Sequence, residues 1–160
     1  MNNALDSKQI QIFYNIQFPL KDILDILYPI FGQYYPFDDF LFMIYTIKHI
    51  FCAYDPSTKQ PIACALLNND SSSGGLYVML FGVRESNQRH GIGTQLLQTI
   101  VQWARQRGFS YIQLHVNIEN QKAMGLYEKV GFQKMQYVQN FYKNIPKSPP
   151  HAFRMILSLQ

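Results

Sequence analysis

The stretch from Leu76 to Gly93 reads Leu-Tyr-Val-Met-Leu-Phe-Gly-Val, then Arg-Glu-Ser-Asn-Gln-Arg-His, then Gly-Ile-Gly. Its first eight residues are almost all apolar or aromatic, which predicts a strand buried on both faces of a sheet. A helix is predicted from Gly91 onward, because apolar residues recur at helical spacing between Ile92 and Trp103. The N–H groups of the first helical turn have no partner within the helix. A buried strand, a polar turn with two glycines and a helix N-terminus therefore predict an anion-binding site.

The spacing of the glycines excludes two common phosphate-binding loops. A Walker loop requires a lysine directly after its last glycine, but Thr94 follows Gly93. A dinucleotide fingerprint requires a third glycine three residues after Gly93, where the chain has Leu96.

The rest of the chain alternates strand-like and helix-like segments. Strands are predicted at Ile10–Phe18, Ile50–Tyr54, Pro61–Leu67, Leu76–Val83, Ser110–Val116, Phe132–Val138 and Ala152–Leu159. Helices are predicted from Pro19 to about Gly32, Asp38 to about Lys48, Gly91 to Arg107, and Asn120 to about Lys129. The polar residues from Asn68 to Gly75 are expected to form a surface loop, and a proline-rich loop is expected from Gln139 to His151.

This order predicts a mixed α/β (α+β) sheet of about seven strands covered by about four helices. The strand, helix and strand that begin at Leu76 should form a right-handed crossover with two parallel strands. At 160 residues, we expect a single domain over residues 1–160.

Composition limits the classes of function. The chain is 48% hydrophobic and 15% charged, which favours a folded globule. The N-terminus lacks a signal-peptide core, and no apolar run reaches the roughly 18 residues of a membrane span, so we expect a cytoplasmic protein. The formal charge of +4 is scattered, which argues against nucleic-acid binding. Cys52 and Cys64 are expected to be buried free thiols, and no metal site is predicted.

A second motif makes the assignment more specific. The segment from Asn120 to Phe132 carries Asn120, Ala123, Tyr127 and the pair Gly131-Phe132. Together with Gln88-x-x-Gly91-x-Gly93, this pattern resembles the GNAT superfamily of acetyltransferases. The resemblance covers roughly Leu76 to the C-terminus. It implies the GNAT acyl-coenzyme A fold and acetyl-coenzyme A as the cofactor.

Within that superfamily the chain looks most like protein N-terminal acetyltransferases of the NatE and NatF type. The resemblance rests on Leu76-Tyr77-Val78-Met79, Leu114-His115-Val116, Asn140-Phe141-Tyr142-Lys143 and Tyr35-Pro36-Phe37. It implies catalytic roles for Tyr77 and His115, which would hold a water that takes the proton of the amine, and for Tyr127, near the thioester sulfur. The residues implied to line the peptide site are Tyr35, Pro36, Phe37, Phe141 and Tyr142. Phe141 replaces a frequent tyrosine, which removes one hydrogen bond to the peptide.

The resemblance also assigns cofactor-binding residues. These are Phe81, Gly82, Val83, Gln88, Arg89, His90, Gly91, Ile92, Gly93, Thr94, Asn120 and Tyr127. The backbone N–H of Val83 would stabilise the oxyanion, as is usual in this family. Gln88 is expected to act through its backbone, so its side chain should be replaceable.

The expected reaction requires little covalent chemistry. A peptide α-amine has a pKa of roughly 7.7–8.0, so a base has only to remove one proton, and a histidine has a suitable pKa. The expected acceptor is the N-terminus of a peptide or protein. The expected N-terminal sequence is methionine followed by an apolar residue. An auxiliary subunit or the ribosome would be partners. The alternatives are a lysine or small-amine acetyltransferase, and a catalytically silent subunit of an assembly.

Overall fold

A computed structural model describes residues 10–70, 73–143 and 149–160 of the chain. Within these ranges the protein forms one mixed sheet with α-helices on both faces. The strands are β1 (Gln11–Tyr14), β2 (His49–Tyr54), β3 (Pro61–Asp70), β4 (Gly75–Val83), β5 (Tyr111–Asn117), β6 (Gln133–Val138) and β7 (Ala152–Ser158). The α-helices are α1 (Leu20–Phe31), α2 (Phe37–Thr46), α3 (Ile92–Gln106) and α4 (Gln121–Val130).

The sheet has the order β1-β2-β3-β4-β5-β7-β6. Its strands are antiparallel except for the central pair of β4 and β5, which is parallel as the crossover predicts. That parallel ladder is short and pairs only the segment Leu76–Val78 with the segment Ile112–Leu114. Beyond these residues β4 and β5 part, which leaves a gap in the middle of the sheet. The mixed sheet and its helices confirm the predicted fold class.

Each face of the sheet carries its own apolar core. One core lies beneath α3 and α4 and includes Leu96, Ile100 and Leu114. The other lies beneath α1 and α2 and includes Leu27 and Phe40. Cys52 and Cys64 lie in this second core as buried free thiols, as the sequence predicted.

The first strand is shorter than the predicted Ile10–Phe18, and the prediction of its end was wrong. Asn15 leaves the strand with a positive φ of 47°. Its side chain accepts a hydrogen bond from the Ile50 N–H at 2.7 Å and donates one to the Lys48 carbonyl at 2.9 Å. The Asn15 N–H still donates to the Ile50 carbonyl at 2.9 Å, and the chain then turns out of the strand in a left-handed conformation that asparagine tolerates better than most residues.

The bounds predicted for the loop from Asn68 to Gly75 were also wrong at both ends. Asn68, Asn69 and Asp70 continue β3 and pair with Tyr77, Leu76 and Gly75 of β4. Their polar side chains are satisfied by other parts of the fold. The Asn68 amide oxygen accepts from the Lys48 N–H at 3.0 Å, and the Asp70 carboxylate accepts from Tyr111 and Gln113.

The other predicted elements are present with shifts of one to two residues at their ends. The second helix begins at Phe37 directly after Pro36. Asn120 caps α4 by accepting from the Ala123 N–H at 3.1 Å, and Gly131 ends that helix with a φ of 119°. Residues 1–9, residues 71–72 of the predicted polar loop and residues 144–148 of the predicted proline-rich loop lie outside the described residues.

None of the helices in the described ranges is long and apolar enough to cross a bilayer. Clusters of three or more side chains able to hold a metal ion are absent from the same ranges.

Candidate active site

The turn between β4 and α3 presents backbone N–H groups to the gap in the sheet. A short 3-10 helix (Glu85–Asn87) follows β4, and Arg89 and Gly91 then adopt positive φ values of 68° and 75°. The first hydrogen bond of α3 runs from the Gln95 N–H to the Gly91 carbonyl at 3.0 Å. The N–H groups of residues 92–94 therefore precede the helical ladder and are available to an anion.

A cavity of about 530 Å³ occupies the space where β4 and β5 part. Most of the residues predicted to bind the cofactor line it, together with His115 of β5 and Tyr142. These predicted residues are Phe81, Gly82, Val83, Gln88, Arg89, Gly91, Ile92, Gly93, Thr94, Asn120 and Tyr127. The predicted His90 is exposed and does not line the cavity.

Three cationic side chains line this cavity. Arg89, Lys122 and Lys129 line it, and the described lining contains no aspartate or glutamate. Lys122 was not predicted as a site residue, although it lies within the second motif. Its Nζ donates to Gln88 Oε1 at 2.9 Å and so joins α4 to the turn.

The Gln88 side chain is held at both ends. Its Nε2 donates to the Val83 carbonyl at 3.0 Å while its Oε1 accepts from Lys122. The sequence interpretation treated this side chain as replaceable, whereas the structure gives it two partners that connect the turn to β4 and α4.

The glycines of the site have different roles. A Cβ at Gly91 or at Gly125 of α4 would have no protein atom within 4 Å, so both positions face open space beside the cavity. A Cβ at Gly93 would lie 3.1 Å from Leu126 Cδ2, so Gly93 lets α3 approach α4. A Cβ at Gly82 would lie 2.5 Å from Ile30 Cδ1, so Gly82 lets α1 pack on β4.

The backbone of Val83 points into the gap. The N–H of Arg84 donates to the Ile62 carbonyl of β3 at 2.8 Å. Because successive residues of an antiparallel strand point their N–H groups to opposite sides, the Val83 N–H points away from β3. That direction leads to the space between β4 and β5, where a developing oxyanion would find a donor.

Tyr77 and His115 form a pair across the parallel strands. The Tyr77 hydroxyl oxygen lies 2.6 Å from His115 Nδ1. If Nδ1 carries the ring proton it donates to Tyr77, and the other ring nitrogen can then accept a proton. Burial, and secondarily the charge of Arg154, lower the pKa of His115, while burial raises the pKa of Tyr77. At neutral pH the pair therefore consists of a neutral base and a protonated phenol.

The residues after β6 cover this pair. The ring of Phe141 stacks on His115 at 4.0 Å between centroids and 9° between planes. The Tyr142 hydroxyl donates to the His115 carbonyl at 3.5 Å, and Tyr142 is buried against Tyr34 with ring centroids 4.7 Å apart. Tyr34, which the sequence reading did not select, also lines the cavity.

Tyr127 lies in α4 on the opposite wall of the cavity. It is buried, and its ring meets the edge of Phe81 at 6.1 Å between centroids. Burial raises the pKa of its hydroxyl, which therefore stays protonated and able to donate.

The connector between α1 and α2, which was predicted to line the peptide site, lies outside the lining of this cavity. Tyr35 is half-buried and close enough to Tyr77 and Tyr142 to raise the pKa of each hydroxyl, after the larger effect of burial. Phe37 is 46% exposed and packs on Tyr28. Tyr35, Pro36 and Phe37 do not line the cavity, and neither do Tyr77 and Phe141.

Comparison with known proteins agrees with the family resemblance seen in the sequence. The profile described as "Acetyltransferase (GNAT) family" matches residues 19–132. The chain is 32% identical over 106 residues to N-alpha-acetyltransferase 50 of Danio rerio, a match covering 66% of this chain and 63% of that protein. It is 33% identical over 95 residues to the probable N-acetyltransferase san of Drosophila melanogaster, covering 59% of this chain and 52% of that protein. The chain thus spans less than two thirds of either relative.

Solved structures share the fold at low sequence identity. A Bacillus subtilis acetyltransferase crystallised in complex with CoA superposes with a TM-score of 0.78 at 17% identity, covering 95% of this chain and 100% of that one. A chain of the NatC complex bound to Gag peptide and CoA superposes with a TM-score of 0.72 at 20% identity, covering 94% and 99%.

Proposed function

Because this chain belongs to the GNAT acetyltransferase family, we propose that it transfers an acetyl group from acetyl-coenzyme A to the α-amine of a peptide or protein. The observation that carries the proposal is the placement of the Tyr77–His115 pair. Its histidine borders the same cavity that the α3 turn and three cationic side chains line. A polyanionic acyl donor could therefore bind along the turn and the cations, with the amine acceptor beside His115.

The residues of the cavity fit coenzyme A. The N–H groups at residues 92–94 suit its pyrophosphate, and Arg89, Lys122 and Lys129 suit its negative charge. The open space beside Gly91 and Gly125 leaves room for close approach. When bound, the cofactor supplies an activated acetyl thioester.

His115 is proposed as the general base, directly or through one water. It is neutral at physiological pH, and Tyr77 and Phe141 hold its ring in one orientation. The pKa of a free peptide α-amine is roughly 7.7–8.0, so only a modest driving force is needed to take its proton.

Val83 and Tyr127 are proposed to stabilise the charges that develop during transfer. The Val83 N–H donates to the carbonyl oxygen of the acetyl group as negative charge grows on it. Tyr127 remains protonated at neutral pH because it is buried, so its hydroxyl can donate to the sulfur as the thiolate departs.

The proposed acceptor is a peptide that begins with methionine followed by an apolar residue. Tyr34, Phe141 and Tyr142 supply an aromatic surface next to His115. Burying a methionine or leucine side chain there would contribute about 1.5–3 kcal/mol. The N-alpha-acetyltransferases among the relatives support a peptide N-terminus, with an auxiliary subunit or the ribosome as the proposed partners.

Lysine should be a poor acceptor. Its ammonium group has a pKa of about 10.4, so converting it to the neutral amine at pH 7 costs about 3.5 kcal/mol more than for an α-amine. This difference separates the proposed function from the lysine acetyltransferase alternative.

The test is acetyl-coenzyme A turnover with peptides that differ at their first two residues. We expect a Met-Leu peptide to be acetylated well above a peptide with an acidic N-terminus. An N-terminally blocked, lysine-containing peptide serves as the control for side-chain acetylation. Equal turnover of the blocked peptide would assign the protein to lysine or small-amine substrates, and no turnover of any peptide would favour a silent subunit.

A further inference from the structure

One face of the sheet beside the active site carries a line of hydrogen-bonded polar side chains. On this face α1 packs over β3 and β4. Further along the sheet, β5, β7 and β6 present Gln113, His115, Arg154 and Gln136 to this same face, because paired residues of adjacent strands point the same way.

The strand register places Arg154 directly opposite His115. The two residues are Cα partners in the antiparallel ladder of β5 and β7. Side chains of directly opposed residues have Cβ atoms about 4.5–5.5 Å apart, so the Arg154 and His115 side chains start as neighbours on one face of the sheet.

The guanidinium is fixed by two neutral amides. Arg154 Nε donates to Gln136 Oε1 at 3.1 Å, and Arg154 Nη1 donates to Gln113 Oε1 at 3.3 Å. Gln113 in turn donates to Asp70 Oδ2 at 2.6 Å, which also accepts from the Tyr111 hydroxyl at 2.5 Å. Gln113 therefore stands between the Asp70 carboxylate and the guanidinium in this network. The two oxygens that accept from Arg154 belong to uncharged amides.

In the described part of the chain, the side chains that contact His115 are uncharged at neutral pH. Tyr77 faces it from β4, and Phe141 and Tyr142 face it from the segment after β6. Tyr35, from the connector between α1 and α2, is close enough to Tyr77 to act on its hydroxyl. Among these neighbours Arg154 supplies the formal charge that acts on the imidazole.

We propose that Arg154 is a positioning residue that keeps His115 in its neutral, proton-accepting form, by means of a guanidinium that Gln113 and Gln136 anchor across the sheet. The inference rests on the proposed role of His115 as the base. A fixed positive charge beside an imidazole disfavours the imidazolium, so the base stays available at lower pH. The direction of the His115 pKa, lowered by burial and then by Arg154, agrees with this geometry.

The test compares Arg154→Met with Arg154→Lys. Methionine removes the charge while it keeps an unbranched chain, and lysine restores the charge. The protonation of His115 is followed by NMR titration of its ring in the free protein, with the resonance assigned by its loss in His115→Gln. The pH dependence of kcat/KM with acetyl-coenzyme A and a peptide is measured in parallel.

In Arg154→Met, His115 should protonate at higher pH than in the wild type. The ratio of kcat/KM at pH 6 to that at pH 8 should fall roughly threefold or more. Arg154→Lys should restore both the titration and the ratio. Lys134→Met is the matched control, since its ammonium lies on the opposite face of the neighbouring strand, over Phe153 and 3.6 Å from Glu128. It should leave both readouts unchanged.

An unchanged His115 titration in Arg154→Met would overturn the inference. So would a loss of activity that is equal at all pH values and that lysine does not rescue, because that result indicates a structural role. The NMR titration needs no substrate, so it reports on Arg154 even if the wild type fails to acetylate any peptide. Failure of the proposed function is therefore distinguishable from failure of the inference about Arg154.

Discussion

At the scale of single residues, the surroundings of a tyrosine–histidine pair decide what it can do. Two such pairs joined by a bond between the hydroxyl and a ring nitrogen occur in the described part of the chain. The Tyr14 hydroxyl lies 2.8 Å from His49 Nδ1, much as the Tyr77 hydroxyl lies 2.6 Å from His115 Nδ1. The other ring nitrogen of His49 is hydrogen-bonded to Asn69 at 2.7 Å, and its ring packs on Trp103. His115 instead borders the cavity, so of the two only its pair can reach a substrate there.

His115→Ala is therefore expected to lower turnover by about 10²–10⁴-fold, the usual contribution of a general base. In the wild type the rate should fall as the pH decreases through the pKa of His115, which burial and Arg154 lower from the ordinary histidine value. The acid limb of the pH profile should consequently lie below pH 6.5.

The matched control is His49→Ala, which removes the histidine of the other pair. It should lose stability but retain turnover per folded molecule. Near-normal turnover of His115→Ala between pH 6 and 9 would assign the proton transfer to water alone.

Gly91 allows a second comparison at the residue scale. Gly91 and Gly108 have φ values of 75° and 79°, and a Cβ at either would have no neighbour within 4 Å. Alanine in this left-handed conformation costs roughly 1–2 kcal/mol, so Gly91→Ala and Gly108→Ala should lose similar stability. Only Gly91→Ala should also weaken coenzyme A binding, measured by calorimetry, because Gly91 lines the cavity. Equal affinity of the two variants would contradict the assigned cofactor turn.

At the scale of secondary structure, α4 both packs on the sheet and lines the cavity. Its N-cap Asn120 and its buried Tyr127 border the cavity, and Lys122 connects it to the turn before α3. Gly125 lies within this helix, where glycine is about 1 kcal/mol less favourable than alanine. Gly125 is exposed and lines the cavity, so the absence of a side chain keeps that part of the cavity open.

Gly125→Ala should accordingly stabilise the free protein and impair binding of the cofactor. The expected gain is about 1 kcal/mol, or roughly 2–4 °C in Tm for a chain of this size. The additional rise in Tm on adding coenzyme A should be smaller than in the wild type, because the new methyl group occupies space beside the cavity. Thermal denaturation with and without coenzyme A measures both effects. A full ligand-induced shift in the variant would show that Gly125 does not limit the approach of the cofactor.

At the scale of the whole molecule, charge favours a polyanionic ligand. The chain has a formal net charge of +4, and Arg89, Lys122 and Lys129 all line the cavity. These three side chains come from two separate segments, so their presence around one cavity depends on how α4 packs beside the α3 turn.

Raising the ionic strength should therefore weaken coenzyme A binding. Exposed ion pairs contribute about 0.2–1 kcal/mol each and are screened by salt. With three cations, the KM for acetyl-coenzyme A should rise roughly tenfold between low and high salt. The triple variant Arg89→Met, Lys122→Met and Lys129→Met should lose most of this salt dependence. A wild-type KM that does not respond to salt would mean that these charges do not contact the ligand.

The sequence by itself determined the fold class and the glycine turn between β4 and α3. The apolar run from Leu76, the helical period after Gly91 and the glycines depend on local preferences, since each can be read within a few neighbouring residues. The end of α4 at Gly131 was predictable for the same reason, because a left-handed C-cap favours glycine.

Only the tertiary structure decided which side chains meet across the sheet. Neither the extension of β3 to Asp70, nor the partners of Gln88, nor the opposition of His115 and Arg154 follows from local pattern. Each depends on strand register and on the gap between β4 and β5, which result from packing between residues distant in the chain. Register brings distant residues together by geometry that no local preference encodes, and this is why the environment of the proposed base became visible only in the folded molecule.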